Sequence, residues 1–514
     1  MQKVLILDFG GQYNQLIARR VRECHVYCEV KPYTMSMEAI RAFDPIGIIF
    51  TGGPNSVYLP ESPQVNPAVF ELGVPVLGFC YGCQLMAHHL GGKVTAAQDD
   101  TAREYGKTET FYDTTCKLFK GLPENGISWM SHGDYMAKVP TGFALVGHTQ
   151  ACPNVAIADE SRGFYGVQFH PEVSHTQHGT DMLHNFLYEV CGAVGDWTMD
   201  DFCKRTVASL REQIGQGRVL LALSGGVDSS VLAALLAEAV GDRLTAVFGD
   251  HGCMRMNEGD EVEAAFKKWD INFVRVDAEE RFLTKLAGVS DPQEKRHIIG
   301  AEFGYVFVDK AKEFGITKAD WFAQGTIYPD VIESGEGDAA VIKSHHNRLL
   351  PPEIMEQFKG VLEPLSLLFK DEIRQLGREL GLPAYLVKRQ PFPGPGLAIR
   401  ILGEVTKEKL DILREADWIF RQELETSGFS PNCSQYFAVL TNARSVGVMG
   451  DSRTYDNTLA LRSVTTDDFM TADWTRIPYE ILDRASVRIV NEVPHINRIV
   501  YDITSKPPAT VEWE

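Results

Sequence analysis

Short runs of consecutive apolar residues recur through the first two hundred positions, at residues 4–8, 47–51 and 74–79. Hydrophobicity that is continuous, not alternating, predicts strands buried on both faces, as in a parallel sheet. Ligands then gather at the carboxyl ends of such strands. Segments 13–24 and 84–90 carry their apolar residues at helical spacing, which predicts crossover helices. A further strand is predicted at 164–169 and a closing helix at 181–190.

The pattern breaks at Cys191-Gly192-Ala193-Val194-Gly195, and a helix is predicted at 199–213. A second α/β run follows, with strands at 218–223, 244–248, 272–276 and 319–324 and a helix at 370–380. Residues 389–396 hold three prolines, which remove amide donors and restrict the preceding residues, so this stretch predicts a linker. The expected fold is α/β: two doubly wound, mainly parallel-sheet domains over 1–193 and 197–389, then an α+β domain over 390–514.

At 514 residues the chain has room for about three domains. Its formal net charge of −19 and pI near 5.2 repel nucleic-acid backbones and anionic lipid. A small phosphorylated ligand stays compatible, since helix N-termini hold anions locally. The first apolar run is too short for a signal peptide or a membrane span, and no later run reaches about 18 residues. The ten cysteines are irregularly spaced, which favours reduced thiols and a cytoplasmic protein.

The run at 74–79 leads straight into Cys80-Tyr81-Gly82-Cys83-Gln84. A cysteine at a strand-to-helix turn is exposed above the sheet and activated by the helix N-terminus. Glycines 78 and 82 permit a strained turn of the nucleophile-elbow kind. Val167-Gln168-Phe169-His170-Pro171-Glu172 offers an imidazole with a carboxylate two residues on. In a Cys80–His170–Glu172 triad, His170 moves the proton and Glu172 fixes its tautomer. The backbone at Thr51-Gly52-Gly53-Pro54, Gly53 above all, with the amide of Tyr81, could cradle an oxyanion. Cys80 and Cys83 also spell C-x-x-C, a redox or half-zinc pattern, which leaves Gly52, Gly53, His170 and Glu172 unexplained. The combined segment resembles class I glutamine amidotransferases, with their G-x-C-x-G elbow and H-P-E triplet. That resemblance implies glutamine binding by Gln84, Ser131, His132 and Gly133.

The strand at 218–223 feeds Ser224-Gly225-Gly226-Val227-Asp228-Ser229-Ser230 and then an apolar helix. Two glycines let amides turn inward, serines add hydroxyl donors, and the helix start adds partial positive charge. No lysine follows the glycines as it would in G-x-x-x-x-G-K-[ST]. A site that holds the β,γ unit as departing pyrophosphate can rely on the loop itself. Asp228 is placed to bind Mg²⁺ on the phosphates. The string resembles the PP-loop family of ATP pyrophosphatases, which implies ATP as substrate and Lys370 near the pyrophosphate.

Strings at 324–334, 343–347, 389–400 and 506–514 extend the likeness over essentially the whole chain, which resembles the GMP synthetase family. The resemblance implies XMP, ATP and glutamine as substrates, contacts to XMP from Arg296, Asp451, Arg453, Lys506 and Glu512, and a lid carrying Lys343, His345 and His346. It also implies a homodimer built on the third domain. The chain departs from the family pattern at Arg348-Leu349-Leu350-Pro351-Pro352, where a glycine-bearing lid segment is usual, and at Gly249, where valine is usual. A different acceptor, such as a tRNA base or an NAD-type precursor, would keep both modules, though the acidic charge opposes tRNA. A nucleotide-sensing scaffold with degenerate sites is the non-catalytic alternative, and it conflicts with the presence of every reactive residue both modules need.

Overall fold

Val4, Leu5, Ile6 and Leu7 are almost wholly shielded from solvent, and they form the strand β1 (Lys3–Asp8) in a computed structural model of the chain. The structure describes all residues except 97–103, 316, 318–319, 334–355, 357, 450 and 467–470. The described residues fall into two compact units, 1–202 and 203–514.

In the first unit, the apolar runs become β1, β3 (Gly47–Phe50) and β4 (Val76–Phe79), and an unpredicted strand, β2 (Tyr27–Pro32), pairs beside β1. A small antiparallel pair, β5 (Lys93–Ala96) and β8 (Asp134–Lys138), lies outside the main sheet. The remaining strands are β6 (Glu104–Tyr112), β7 (Asn125–His132), β9 (Ala144–Thr149), β10 (Ala156–Asp159) and β11 (Phe164–Val167). The nine-stranded sheet runs β2-β1-β3-β4-β11-β10-β9-β6-β7. Its first five strands pair in parallel, and its other four extend it antiparallel. The carboxyl ends of β1, β3, β4 and β11 therefore open on one edge, where the candidate chemistry sits. The expected closing helix is Gly179–Asn185, continued by a π turn over Phe186–Val190.

In the second unit, β12 (Val219–Leu223), β13 (Leu244–Asp250), β14 (Asn272–Asp277), β15 (Trp321–Ala323) and β16 (Gly360–Leu362) form an all-parallel sheet. Its order, β14-β13-β12-β15-β16, reverses direction at β12. The loop after β12 thus lies at a topological switch point. A four-stranded sheet follows. β18 (Ser452–Thr465) lies at its centre, antiparallel to β17 (Gln435–Met449) and β19 (Asp473–Trp474) and parallel to β20 (Ile496–Asp502).

The proline-rich stretch expected as a linker has Pro391 and Gly394 exposed and leads directly into the core. Leu397, Ala398 and Ile401 join one apolar cluster with Cys253, Phe282 and Leu286. Gly396 has φ +63°, and a Cβ there would meet the Cys253 carbonyl oxygen at 2.2 Å. Only glycine lets the chain pass there, so the end of the stretch is fixed against the core.

Candidate active site

Cys80 caps the helix Tyr81–His89 with φ +47° and ψ −107°, a conformation that a residue with a side chain rarely holds. The surrounding structure enforces it. The Cys80 N–H donates to Val167 O at 2.9 Å and Gly82 N–H to Thr51 O at 3.1 Å. A Cβ on Gly78 would come within 2.6 Å of Cys83 N, and one on Gly82 within 2.6 Å of Phe50 O. The turn therefore closes only with glycine at both positions. Cys83 lies fully buried in the core behind it, where desolvation pushes its thiol pKa up. Neither cysteine is in a disulfide.

His170 and Glu172 arrive from the end of β11. His170 Nδ1 lies 2.7 Å from Glu172 Oε1, and Glu172 is fully buried. Burial by itself lowers the His170 pKa, but the Glu172 carboxylate and the hydrogen bond to Cys80 together hold it well above the ordinary value. The Tyr13 ring meets His170 edge-on at 5.2 Å, and Arg20 Nε donates to the Glu172 carbonyl at 3.1 Å. Gly52 lies beside both reactive groups: a Cβ there would sit 3.2 Å from His170 Cε1 and 3.8 Å from Cys80 Cβ. Thr51 Oγ1 donates to Gly52 O at 2.9 Å. Gly53 packs on the Tyr81 ring, 3.2 Å from where its Cβ would be.

The residues expected to hold glutamine border this elbow. Ser131 O lies 3.8 Å from Cys80 Sγ. Gln84 Nε2 donates to Asp134 O at 3.0 Å and to Gln168 Oε1 at 3.1 Å. His132 Nδ1 lies 3.0 Å from Asp134 O, with the buried Glu104 3.6 Å from its Nε2. A Cβ on Gly133 would meet the Tyr105 hydroxyl at 3.4 Å. Gln168, given no role from sequence, is fully buried and its Nε2 lies 3.7 Å from Cys80 Sγ.

In the second unit, the loop after β12 leads into the helix Val227–Val240, which begins four residues earlier than its apolar stretch suggests. Val227, Asp228, Ser229 and Ser230 thus form its first turn. Gly225 has φ +75°. Ser229 Oγ lies 3.0 Å from Ser224 Oγ, and Gly226 N–H reaches Ser224 Oγ at 3.4 Å. Lys370 begins the helix Lys370–Glu379, and its ammonium donates to both Asp228 carboxylate oxygens at 2.6 Å. Among the described residues, no group of three His, Cys, Asp or Glu could hold a metal. Asp228 is a single carboxylate, already held by Lys370, and it would suit Mg²⁺ only if that ion were shared with the oxygens of a bound phosphate.

Two family models match the sequence: glutamine amidotransferase class-I over residues 5–190, and GMP synthase C terminal domain over residues 422–513. The curated GMP synthase (glutamine-hydrolyzing) of Finegoldia magna is 60% identical over 513 residues, covering 100% of this chain and 99% of its own. That of Acetivibrio thermocellus is 60% identical over 512 residues, 99% of each chain. The chain belongs to the glutamine-hydrolyzing GMP synthase family. The homologue from Treponema denticola is 59% identical, covering 100% of this chain and 97% of its own. A solved GMP synthase component from Thermoplasma acidophilum aligns over 37% of this chain and 94% of its own, at 30% identity and a TM-score of 0.34.

The remaining residues expected from the GMP synthase resemblance divide into three groups. Arg296 donates to the Glu514 carbonyl at 2.5 Å. Glu512 is gripped by the buried Arg400 at 2.8 and 3.0 Å and by Gln435 at 2.8 Å, so its carboxylate anchors the tail. Lys506 exchanges main-chain hydrogen bonds with Ala472 at 2.7 and 2.9 Å. Arg462, fully buried, donates to Thr504 O at 2.6 Å and Thr510 O at 2.9 Å. Asp451 and Arg453 are exposed at the far end of the β17–β18 hairpin. Arg453 is separated from Arg462 by nine residues of strand, about 30 Å at strand rise, so the structure does not bring this pair to the tail. Lys343, His345 and His346 lie outside the described residues.

Proposed function

We propose that the chain converts XMP, ATP, glutamine and water into GMP, AMP, pyrophosphate and glutamate. Cys80 attacks the side-chain amide of glutamine, and the Gly53 and Tyr81 amides stabilise the oxyanion. His170 passes a proton to the departing nitrogen, leaving a thioester on Cys80. It then activates the water that frees glutamate, with Glu172 fixing its tautomer. Gln84, Ser131, His132 and Gly133 hold the glutamine.

In the second unit, the lysine-free loop Ser224–Ser230 cradles the β,γ phosphates while the XMP oxygen at purine position 2 attacks the α-phosphorus. Pyrophosphate departs and adenyl-XMP forms. Ammonia then adds at that carbon and AMP leaves, giving GMP. Lys370 meets the pyrophosphate charge. When bound, Mg²⁺ neutralises phosphate charge, and Asp228 would hold it. Arg296, Lys506 and Glu512 make up the XMP contacts within one chain, and Asp451 and Arg453, at the far end of the hairpin, stand apart from them. The second unit divides near 389/390 into an ATP pyrophosphatase domain and a dimerisation domain. The chain acts in the cytoplasm as a homodimer without nucleic-acid or membrane partners. Among the described residues, no helix is long and apolar enough to cross a membrane.

The observation that carries the reading is the buried His170–Glu172 pair beside a cysteine forced to positive φ. The test is XMP-dependent release of AMP and pyrophosphate, supplied by either glutamine or ammonium. Cys80→Ala should abolish glutamine use and spare ammonium use. Loss of both in a folded variant, or formation of ADP and orthophosphate by the wild type, would overturn the reading.

A further inference from the structure

Beside the loop after β12 lies a buried ionic chain that the proposed chemistry does not use. Arg389 is nearly buried, with 11% of its side chain exposed, and its guanidinium pairs with Glu258, whose side chain is 2% exposed. Its Nη1 also donates to the Gly225 carbonyl at 2.7 Å. The far side of Glu258 is occupied too: Oε2 accepts from the Arg255 N–H at 3.0 Å and lies 3.5 Å from Arg255 Nε. Arg255 in turn stacks on Phe392 at 4.2 Å. The backbone of Arg389 is fixed independently, because Arg374 Nη2 donates to its carbonyl at 3.0 Å. Arg374 lies one turn beyond Lys370, the partner of Asp228, on the same helix.

One planar peptide links Gly225 and Gly226. In a trans peptide the C=O and the following N–H point in opposite directions, so capturing the carbonyl from one side aims the amide at the other. Gly225 is wedged at φ +75°, where a Cβ would meet Phe248 at 3.1 Å and Val262 at 3.4 Å. Its carbonyl is thereby directed at Arg389. The Gly226 N–H, on the opposite side, has only a long contact of 3.4 Å to Ser224 Oγ and remains able to take a stronger acceptor.

We infer that Arg389 is a positioning residue for the pyrophosphate cradle: by holding the Gly225 carbonyl, it turns the Gly226 amide toward the phosphates. Glu258 compensates its charge, so Arg389 orients the loop without itself serving as the cation for the anion. The planar guanidinium can serve both acceptors at once, which a lysine ammonium at that reach cannot. This inference rests on the loop's role under the proposed function.

The experiment uses the full chain with ammonium as nitrogen source, so that the amidotransferase step drops out. In Arg389→Lys, the KM for ATP should rise about tenfold, the equivalent of one charge-assisted hydrogen bond. The inhibition constant of pyrophosphate as product should rise by the same factor. The KM for XMP and glutamine hydrolysis at Cys80 should stay within about twofold. Glu258→Gln should move ATP and pyrophosphate in the same direction by less, and it decides the matter if Arg389→Lys does not fold. Unchanged ATP and pyrophosphate values in folded variants would overturn the inference. So would a shift of the KM for XMP and of glutamine hydrolysis by the same factor as the KM for ATP, which marks a merely structural role. A wild type that forms ADP and orthophosphate instead fails the proposed function, and that result is seen before any variant is made.

Discussion

Glu172 shows what a single buried carboxylate does to its neighbour. Burial alone would strip the proton from His170, and the carboxylate 2.7 Å away prevents it. The folded pKa lies above the unfolded value of about 6.5. The pair's contribution to stability is therefore complete below that value and is lost as pH rises through the raised one. Glu172→Gln should accordingly lower the melting midpoint most at about pH 6, with the deficit shrinking under alkaline conditions; a deficit independent of pH would count against this. The approach of His170 and Glu172 to Cys80 was legible in sequence because all three were placed at strand ends. Gln168 was not, since its contact reaches back 88 residues to Cys80 and nothing local announces it. Arg389 stands at the head of the proline-rich stretch, yet its purpose depends on Gly225, 164 residues away.

At the scale of elements, the elbow sets steric demand against helix propensity. Alanine gains about 1 kcal/mol over glycine within a helix, which would favour Gly82→Ala. A Cβ there meets Phe50 O at 2.6 Å, and forcing such a contact costs about 1–3 kcal/mol. The clash should win. Gly82→Ala is expected to lower the denaturant midpoint and to depress glutamine-driven turnover, leaving ammonium-driven turnover near wild type. Parallel strands such as β4 and β12 were legible because they are apolar throughout and every residue is buried, whereas β2, also parallel, carries Glu29 and Lys31 and went unpredicted. The antiparallel strands went unpredicted because β6 and β7 alternate buried with exposed positions. Alternation of this kind, with charges on the open face, reads as surface until a partner strand is known.

At the scale of the molecule, the second unit is tied to residues 502–514. Arg400, Arg462 and Lys295 are each almost wholly buried, and their acceptors include Glu512, Asp502 and Glu514 respectively. A buried cation deprived of its partner costs about 3–5 kcal/mol. Removing residues 512–514 should therefore lower the thermal midpoint by many degrees and abolish the ammonium-driven reaction. Survival of that reaction at full rate would show the tail to be dispensable. Composition gave no hint of this dependence, because a terminal glutamate and a solvated one read alike in sequence. Nor did composition show that the chain just beyond the prolines joins Leu397 and Ile401 to Phe282 and Leu286 in one core.

The anchoring of Arg400 also has a consequence in time. Its carboxylate partner Glu512 lies 112 residues further along the chain, about ten seconds of synthesis at ordinary ribosomal speeds. Throughout that interval the nascent second unit carries a cation it cannot yet bury. The first unit draws its strands from residues 3–167, all of them synthesised before Arg400 appears. A ribosome stalled between the two positions would thus hold a finished glutamine-side fold attached to an unfinished partner open to proteolysis.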